Sequence, residues 1–157
     1  MTFNKKKITI DNILVIDSKK AKNKGHGETL HDIYISLVAE LIKNERPDVF
    51  VREAAVGTFC HGTTMTLNKV VGVVDLALWE VYKEEWVEKY RPTSIKKAIT
   101  GSGKASKQEV DAEIQKYLSK KMEFEGDDES DAVAVAVMWL MDNGHLPKKE
   151  EADTKKK

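Results

Sequence analysis

Gly126-Asp127-Asp128-Glu129-Ser130-Asp131-Ala132-Val133-Ala134-Val135-Ala136-Val137-Met138-Trp139-Leu140 is the stretch on which the fold turns. A knot of acids opens directly into an unbroken apolar run. Ala132 to Val137 alternates Ala and Val at a strand-like period of two. The run from Ala132 to Met141 is nevertheless long for a strand, and Gly144 supplies a C-terminal stop, so the pattern predicts a helix. Apolarity on every side predicts that this helix is buried. Carboxylates beside such a core cost free energy unless a cation or hydrogen-bond donors compensate them. Asp128 and Asp131 are three residues apart and project from one side of the first turn. That arrangement suits a hard divalent cation such as Mg2+. A purely structural role accounts for the same residues, with Asp128 as N-cap and Asp131 as an acid favouring the helix start. The stretch alone leaves both open.

A second carboxylate stands upstream. Asp48-Val49-Phe50-Val51-Arg52-Glu53 is short and β-branched, which predicts a buried central strand ending in Glu53. Before it, Leu30, Ile33, Leu37, Leu41 and Ile42 recur at helical spacing, with Thr29 as expected N-cap and a stop near Asn44 ahead of Pro47. After it comes a loop with Phe59, Cys60 and His61, then a helix expected over Thr64 to Lys83. Leu67, Val70, Val71, Val74, Leu78 and Val81 form its buried face, and Gly72 suggests close packing against a neighbour. A single Cys, and His26, His31 and His145 without ligand spacing, argue against zinc.

Between the two acidic features lies a basic turn, Ile95-Lys96-Lys97-Ala98-Ile99-Thr100-Gly101-Ser102-Gly103-Lys104-Ala105-Ser106-Lys107. Ser94 is the expected cap of a short helix that Gly101 ends in the left-handed conformation. Gly101 to Lys104 lacks P-loop spacing, which excludes a nucleoside triphosphate site of that type. Ser106 and Glu109 form a capping-box pair opening a helix that buries Val110, Ile114, Tyr117 and Leu118. A strand is expected over Trp86 to Tyr90, and Lys7 to Asp17 is β-rich with a turn at Asp11-Asn12.

The formal charge is zero, yet it is segregated. Pro92 to Lys121 holds seven lysines (96, 97, 104, 107, 116, 120, 121) against three acids (109, 111, 113), whereas Met122 to Asp131 holds six acids and no base. Lysines that hold phosphates beside carboxylates that hold a metal are what an enzyme acting on a polyanion needs. At 157 residues, 41% of them apolar, the chain suits one domain over 1–146, with a charged, disordered tail over 147–157. No segment is long enough to span a membrane, and the single Cys60 fits a cytoplasmic protein.

Taken together, Val49 to Glu53, Lys69-Val70-Val71-Gly72-Val73, Ile95 to Lys107 and Asp128 to Ala134 resemble the RuvC-type Holliday junction resolvases, most closely their phage-encoded branch, from about Ile13 to Asn143. The resemblance implies an α/β, ribonuclease H-like mixed sheet flanked by helices. It implies a homodimer acting on four-way or branched DNA through Mg2+-dependent phosphodiester hydrolysis, with Mn2+ as a substitute. Glu53, Asp128 and Asp131 match the family's catalytic, metal-binding acids, and Lys96 and Lys107 its DNA-contacting lysines. Lys97 and Lys104 extend that basic surface, and Phe59 is the nearest counterpart of an aromatic residue that wedges into the junction. The family's first strand carries a further metal-binding Asp, whereas Lys7 to Asp17 matches its second and third strands. The first strand is thus expected to be missing, leaving Asp11 or Asp17 as stand-ins. The alternatives are a catalytically impaired junction-binding protein and a dimerisation module built on the long helix.

Overall fold

The acid-to-apolar stretch is a helix. The computed structural model describes residues 2–4, 7–16, 25–55, 61–84 and 86–149. Its elements are β1 (Thr2–Asn4), β2 (Lys7–Thr9), α1 (His26–Lys43), β3 (Val51–Glu53), α2 (His61–Tyr82), β4 (Glu88–Tyr90), α3 (Pro92–Thr100), α4 (Lys107–Ile114) and α5 (Asp127–Asp142). They gather into two compact units, one of residues 1–15, 51–54 and 89–157 and the other of residues 16–50 and 55–88.

The first unit is built around α5. Val133, Ala134, Val135, Val137, Met138, Leu140 and Met141 are all buried, so the helix is enclosed on most of its circumference. A strand of that length would have left alternate residues on a single face. Gly144 follows at φ 75°, the left-handed conformation that ends a helix at least cost in glycine. Around α5 pack α3, α4 and β3. Ile8, Ile99, Ile114 and Val137 are the largest fully buried side chains. Each contributes about 1.5–3 kcal/mol by leaving water, so residues far apart in sequence hold one core.

The segments around this core are fixed by backbone bonds. In α3, Gly101 adopts φ 86° and donates its N–H to the Lys97 carbonyl, the left-handed stop expected there. Its N-cap is Arg91, not Ser94. Pro92 occupies the first turn, where its missing N–H costs nothing and its fixed φ suits the helix. Ser106 and Glu109 form the capping box at the start of α4. After α4, Gln115 clamps Met122: its amide donates to the Met122 carbonyl at 2.8 Å and accepts from the Met122 N–H at 3.0 Å. That clamp fixes the approach to α5.

The β structure is sparser than the sequence suggests. β1 and β2 pair antiparallel, with Phe3 opposite Ile8. Ile8 also bridges Leu118 in parallel, its N–H donating to the Tyr117 carbonyl and its carbonyl accepting from the Ser119 N–H, both at 2.8 Å. Residues 10–16 form no strand, so the second strand expected before Asp17 is absent there, and the partner of β2 is β1, which lies ahead of the β-rich stretch. Backbone pairing at a sheet edge does not require apolar side chains, which is why composition missed it. β3 and β4 run parallel, with Glu88 N–H donating to the Phe50 carbonyl and Ala54 N–H to the Tyr90 carbonyl. Val51 and Arg52 are half-buried, so β3 is shorter and more open than the buried strand expected over 48–53.

In the second unit α1 packs against α2. Helix α1 starts at His26 with Gly25 as N-cap; Thr29 sits inside the first turn and donates its hydroxyl to the Gly25 carbonyl. Asn44 ends it, as expected. Tyr82 from α2 donates its hydroxyl to the Leu41 carbonyl at 2.6 Å, and Tyr34 bonds Glu80. Ala77 and Leu78 are buried, but Leu67 is 44% exposed, and nothing lies within 4 Å of a Cβ built on Gly72. The close packing expected at Gly72 is therefore absent among the described residues. Of the tail expected over 147–157, Lys148 pairs with Asp142 and Lys149 with Glu113, each at 2.8 Å. Residues 150–157 lie outside the described residues.

Candidate active site

The first unit places two acids and two lysines in one cleft. Glu53 closes β3, Lys96 lies on α3, Lys107 opens α4 and Asp131 lies on α5; all four line the same depression, with Asp111 beside them. Glu53, Lys107 and Asp131 sit at or near element ends, whereas Lys96 lines the cleft from the middle of α3.

Charge inside the cleft is strongly coupled. The Glu53 carboxyl is pushed above the ordinary glutamate range, first by burial and then by the neighbouring Asp131 carboxylate. Lys107 and Lys96 oppose that rise without cancelling it. Glu53 retains open surface, and solvent screens the effect there. Lys107 is held protonated beyond the usual lysine range, mainly by its bond to Asp127 and then by Asp131. Its ammonium stands 2.9 Å from Asp127 Oδ2 and 3.2 Å from Asp131 Oδ2. Lys96 donates to the Ala105 carbonyl at 2.9 Å, tying α3 to the far side of the glycine turn. Gly103 in that turn cannot carry a side chain without displacing something, since a Cβ there would lie 3.2 Å from the Thr93 carbonyl oxygen.

The acids of the α5 start divide by helical geometry. Residues four apart share a face, so Asp127 and Asp131 together grip Lys107, while Asp128 on the same turn is exposed. Neither Asp127 nor Asp128 is the N-cap, which is Gly126; Glu129 instead accepts from the Glu125 N–H at 2.8 Å. Lys104 is exposed on the glycine turn, and Lys97 lines a separate depression with Lys148 and Lys149. Asp11 is exposed after β2, while Phe59 and Asp17 lie outside the described residues. Asp127 and Asp111 were not singled out from the sequence. The i, i+4 spacing of Asp127 with Asp131, and of Lys107 with Asp111, was the signal available.

The donor set fits a hard divalent cation. Glu53 and Asp131 repel each other across the cleft, and a cation between carboxylates relieves that repulsion. Among the described residues no group of three His, Cys, Asp or Glu side chains converges tightly enough to hold an ion. Mg2+ tolerates such a site, because it commonly takes one or two carboxylates and completes its shell with water and substrate phosphate.

Comparison with known proteins bears on what this cleft is for. Residues 6–139 match the family model described as Crossover junction endodeoxyribonuclease RuvC. A protein of that name from Prochlorococcus marinus subsp. pastoris is 35% identical over 144 residues, covering 90% of this chain and 85% of its own length. One from Alkaliphilus metalliredigens is 33% identical over 110 residues, covering 70% of this chain and 65% of its own length. Among solved structures, T. thermophilus RuvC in complex with Holliday junction substrate superposes with a TM-score of 0.66 at 23% identity, over 74% of this chain and 69% of that one. The structure of Thermus thermophilus RuvC superposes with a TM-score of 0.65 at 22% identity, over 79% and 74%. At that identity the superpositions speak for the fold, which is the α/β, ribonuclease H-like one. The family model and the P. marinus relative carry the rest: this chain belongs to the RuvC family of crossover junction endodeoxyribonucleases.

Proposed function

We propose that this chain cleaves four-way and branched DNA by divalent-metal-dependent phosphodiester hydrolysis, as a homodimer, in the cytoplasm of a bacterium or phage-infected host. The observation that carries the reading is the meeting of Glu53, Asp131, Lys96 and Lys107 in one cleft of a RuvC-family chain. Glu53 and Asp131, with Asp128 from the same helix turn, are the catalytic residues and would hold Mg2+, or Mn2+ in its place. A bound divalent cation lowers the pKa of water and neutralises charge on a phosphoryl oxygen. The chain's own residues do the remainder. Lys107 and Lys96 hold the scissile phosphate, so that water attacks phosphorus and the bond to the 3′-oxygen breaks. Lys97 and Lys104, with Phe59, contact DNA beyond the cleft. The phosphate contacts position the DNA and carry no sequence information.

Incubation of a synthetic four-way junction with the full chain and Mg2+ or Mn2+ tests this. Nicking is expected, and Asp128→Asn and Asp131→Asn should each lower its rate by about 10²–10³-fold, the usual cost of losing one electrostatic stabiliser. Undiminished cleavage in both variants refutes the site assignment.

One observation favours a second reading, a junction-binding protein impaired in cleavage. The Lys107 ammonium already pairs with both Asp127 and Asp131, so these acids share a cation without a metal. On that reading the same assay gives tight, salt-sensitive junction binding with no metal-dependent product. Lys96→Ala then weakens binding and lowers the salt slope by about one.

The homodimer is supported by an exposed stripe on α2. Met65, Leu76 and Trp79 are 54%, 51% and 45% exposed, and with Gly72 they fall on one helical face. In a two-fold contact each substitution acts twice. Leu76→Asp is therefore expected to weaken dimerisation at least about a hundredfold, since desolvating two unpaired charges costs several kcal/mol. Sedimentation equilibrium reads the change, and a wild-type chain that remains monomeric at high concentration overturns the dimer.

A further inference from the structure

Three consecutive residues, Ala105, Ser106 and Lys107, join both cleft lysines to one turn. The Ala105 carbonyl accepts from the Lys96 ammonium at 2.9 Å, and the Lys107 ammonium reaches Asp127 at 2.9 Å and Asp131 at 3.2 Å. Between them stands Ser106, the N-cap of α4. Glu109 closes on it from one turn along the helix. Its Oε2 accepts from the Ser106 N–H at 2.7 Å and from the Ser106 hydroxyl at 2.8 Å, while Ser106 Oγ accepts from the Glu109 N–H at 3.3 Å. Helix α4 has only eight residues. Helices shorter than about 12–15 residues are marginal on their own, so this first turn depends on those bonds and on the buried Val110 that follows them. Glu109 itself is exposed and carries no part of the core.

The clamp matters most when the cleft is in use. Without metal, two carboxylates hold the far end of Lys107. A cation that takes Asp131 removes one of these anchors, and a phosphate is then met by an ammonium on a flexible four-carbon stem. What still sets its starting point is the backbone of Lys107, the first residue of α4, which the capping box fixes. The same bonds hold Ala105 where its carbonyl engages Lys96.

We infer that Glu109 is a positioning residue that, through the Ser106 N-cap, sets the place from which Lys107 meets the scissile phosphate and at which the Ala105 carbonyl steadies Lys96. The inference rests on the reading of Lys96 and Lys107 as phosphate-holding groups. Glu109 acts by its geometry and not by its charge, since a carboxylate on a basic surface by itself opposes DNA binding.

The test is single-turnover cleavage of a four-way junction by the full chain at saturating Mn2+, beside junction affinity without metal and the melting temperature. Glu109→Ala is expected to slow cleavage about 10–100-fold, the order of loss that a misplacement of about 1 Å causes. Junction affinity should hold or rise, because a negative charge leaves the basic surface while both lysines stay. Glu109→Gln keeps an oxygen that accepts from Ser106 and should cleave close to the wild-type rate. Ser106→Ala should behave as Glu109→Ala does, and Ser106→Thr as Glu109→Gln does. A lower melting temperature in Glu109→Ala with unchanged cleavage marks a structural cap only and overturns the inference. Equal slowing in Glu109→Ala and Glu109→Gln points to charge and overturns it too. If Lys107→Ala is slow while Glu109→Ala is as fast as wild type, this inference alone fails. If Lys96→Ala and Lys107→Ala both bind and cleave as wild type does, or wild type binds the junction without cutting it, the phosphate-holding reading fails and the inference with it.

Discussion

Glu53→Gln is expected to abolish junction cleavage while making the metal-free protein slightly more stable. Losing one carboxylate from the proposed metal site should lower the rate by about 10²–10³-fold or more. Stability moves the other way because the native fold penalises the ionised Glu53, through burial and through Asp131. Above the ordinary glutamate pKa the unfolded chain has lost this proton, but the folded chain keeps it until the raised pKa is reached. In that window the native state binds more protons, so wild-type stability falls as pH rises through it. The glutamine variant lacks that slope. Its gain should be absent at acidic pH, grow across the window and be complete above it. For a half-open pair the effect is below about 1 kcal/mol, or roughly one to three degrees in melting temperature for a domain of this size. Paired thermal melts and nicking assays across pH check it. A variant that melts lower than wild type at neutral pH, without metal, contradicts the placement of Glu53 against Asp131.

That opposition of stability and activity could not be read from the chain order, although much else could. The helical nature of α5 followed from the length of its apolar run and from Gly144. The stop at Gly101 and the capping box of Ser106 and Glu109 were equally local, and they appear where expected. What escaped the sequence depends on packing between elements. Thr29 has the chemistry of an N-cap, but the N-cap of α1 is Gly25, four residues further back. Leu67 has the period of a core residue, but the packing of α1 on α2 leaves it exposed. At the site, Glu53, Lys96, Lys107 and Asp131 were all named from the residues and from family resemblance. The place of Asp127 was not, because its partner Lys107 lies on another helix and only the seating of α4 against α5 brings the two together.

Lys107→Ala is expected to split metal binding from cleavage. In the metal-free chain the Lys107 ammonium holds Asp131 at 3.2 Å and competes with any cation for that carboxylate. Its raised pKa means that the competition persists throughout the neutral range, since the charge is lost only above the usual lysine value. Removing it should tighten Mn2+ binding to the free protein several-fold. Cleavage at saturating metal should nevertheless fall about 10²–10³-fold, because the charge that holds the phosphate has gone. Junction binding should weaken too, with a salt slope lower by about one. A lysine that served only to neutralise Asp127 and Asp131 predicts otherwise: tighter Mn2+ binding, unchanged junction affinity and cleavage at least as fast as wild type. Calorimetry, salt-dependent binding and nicking assays on the one variant separate the two roles. Weaker Mn2+ binding in Lys107→Ala would show that the ammonium and the cation do not share Asp131.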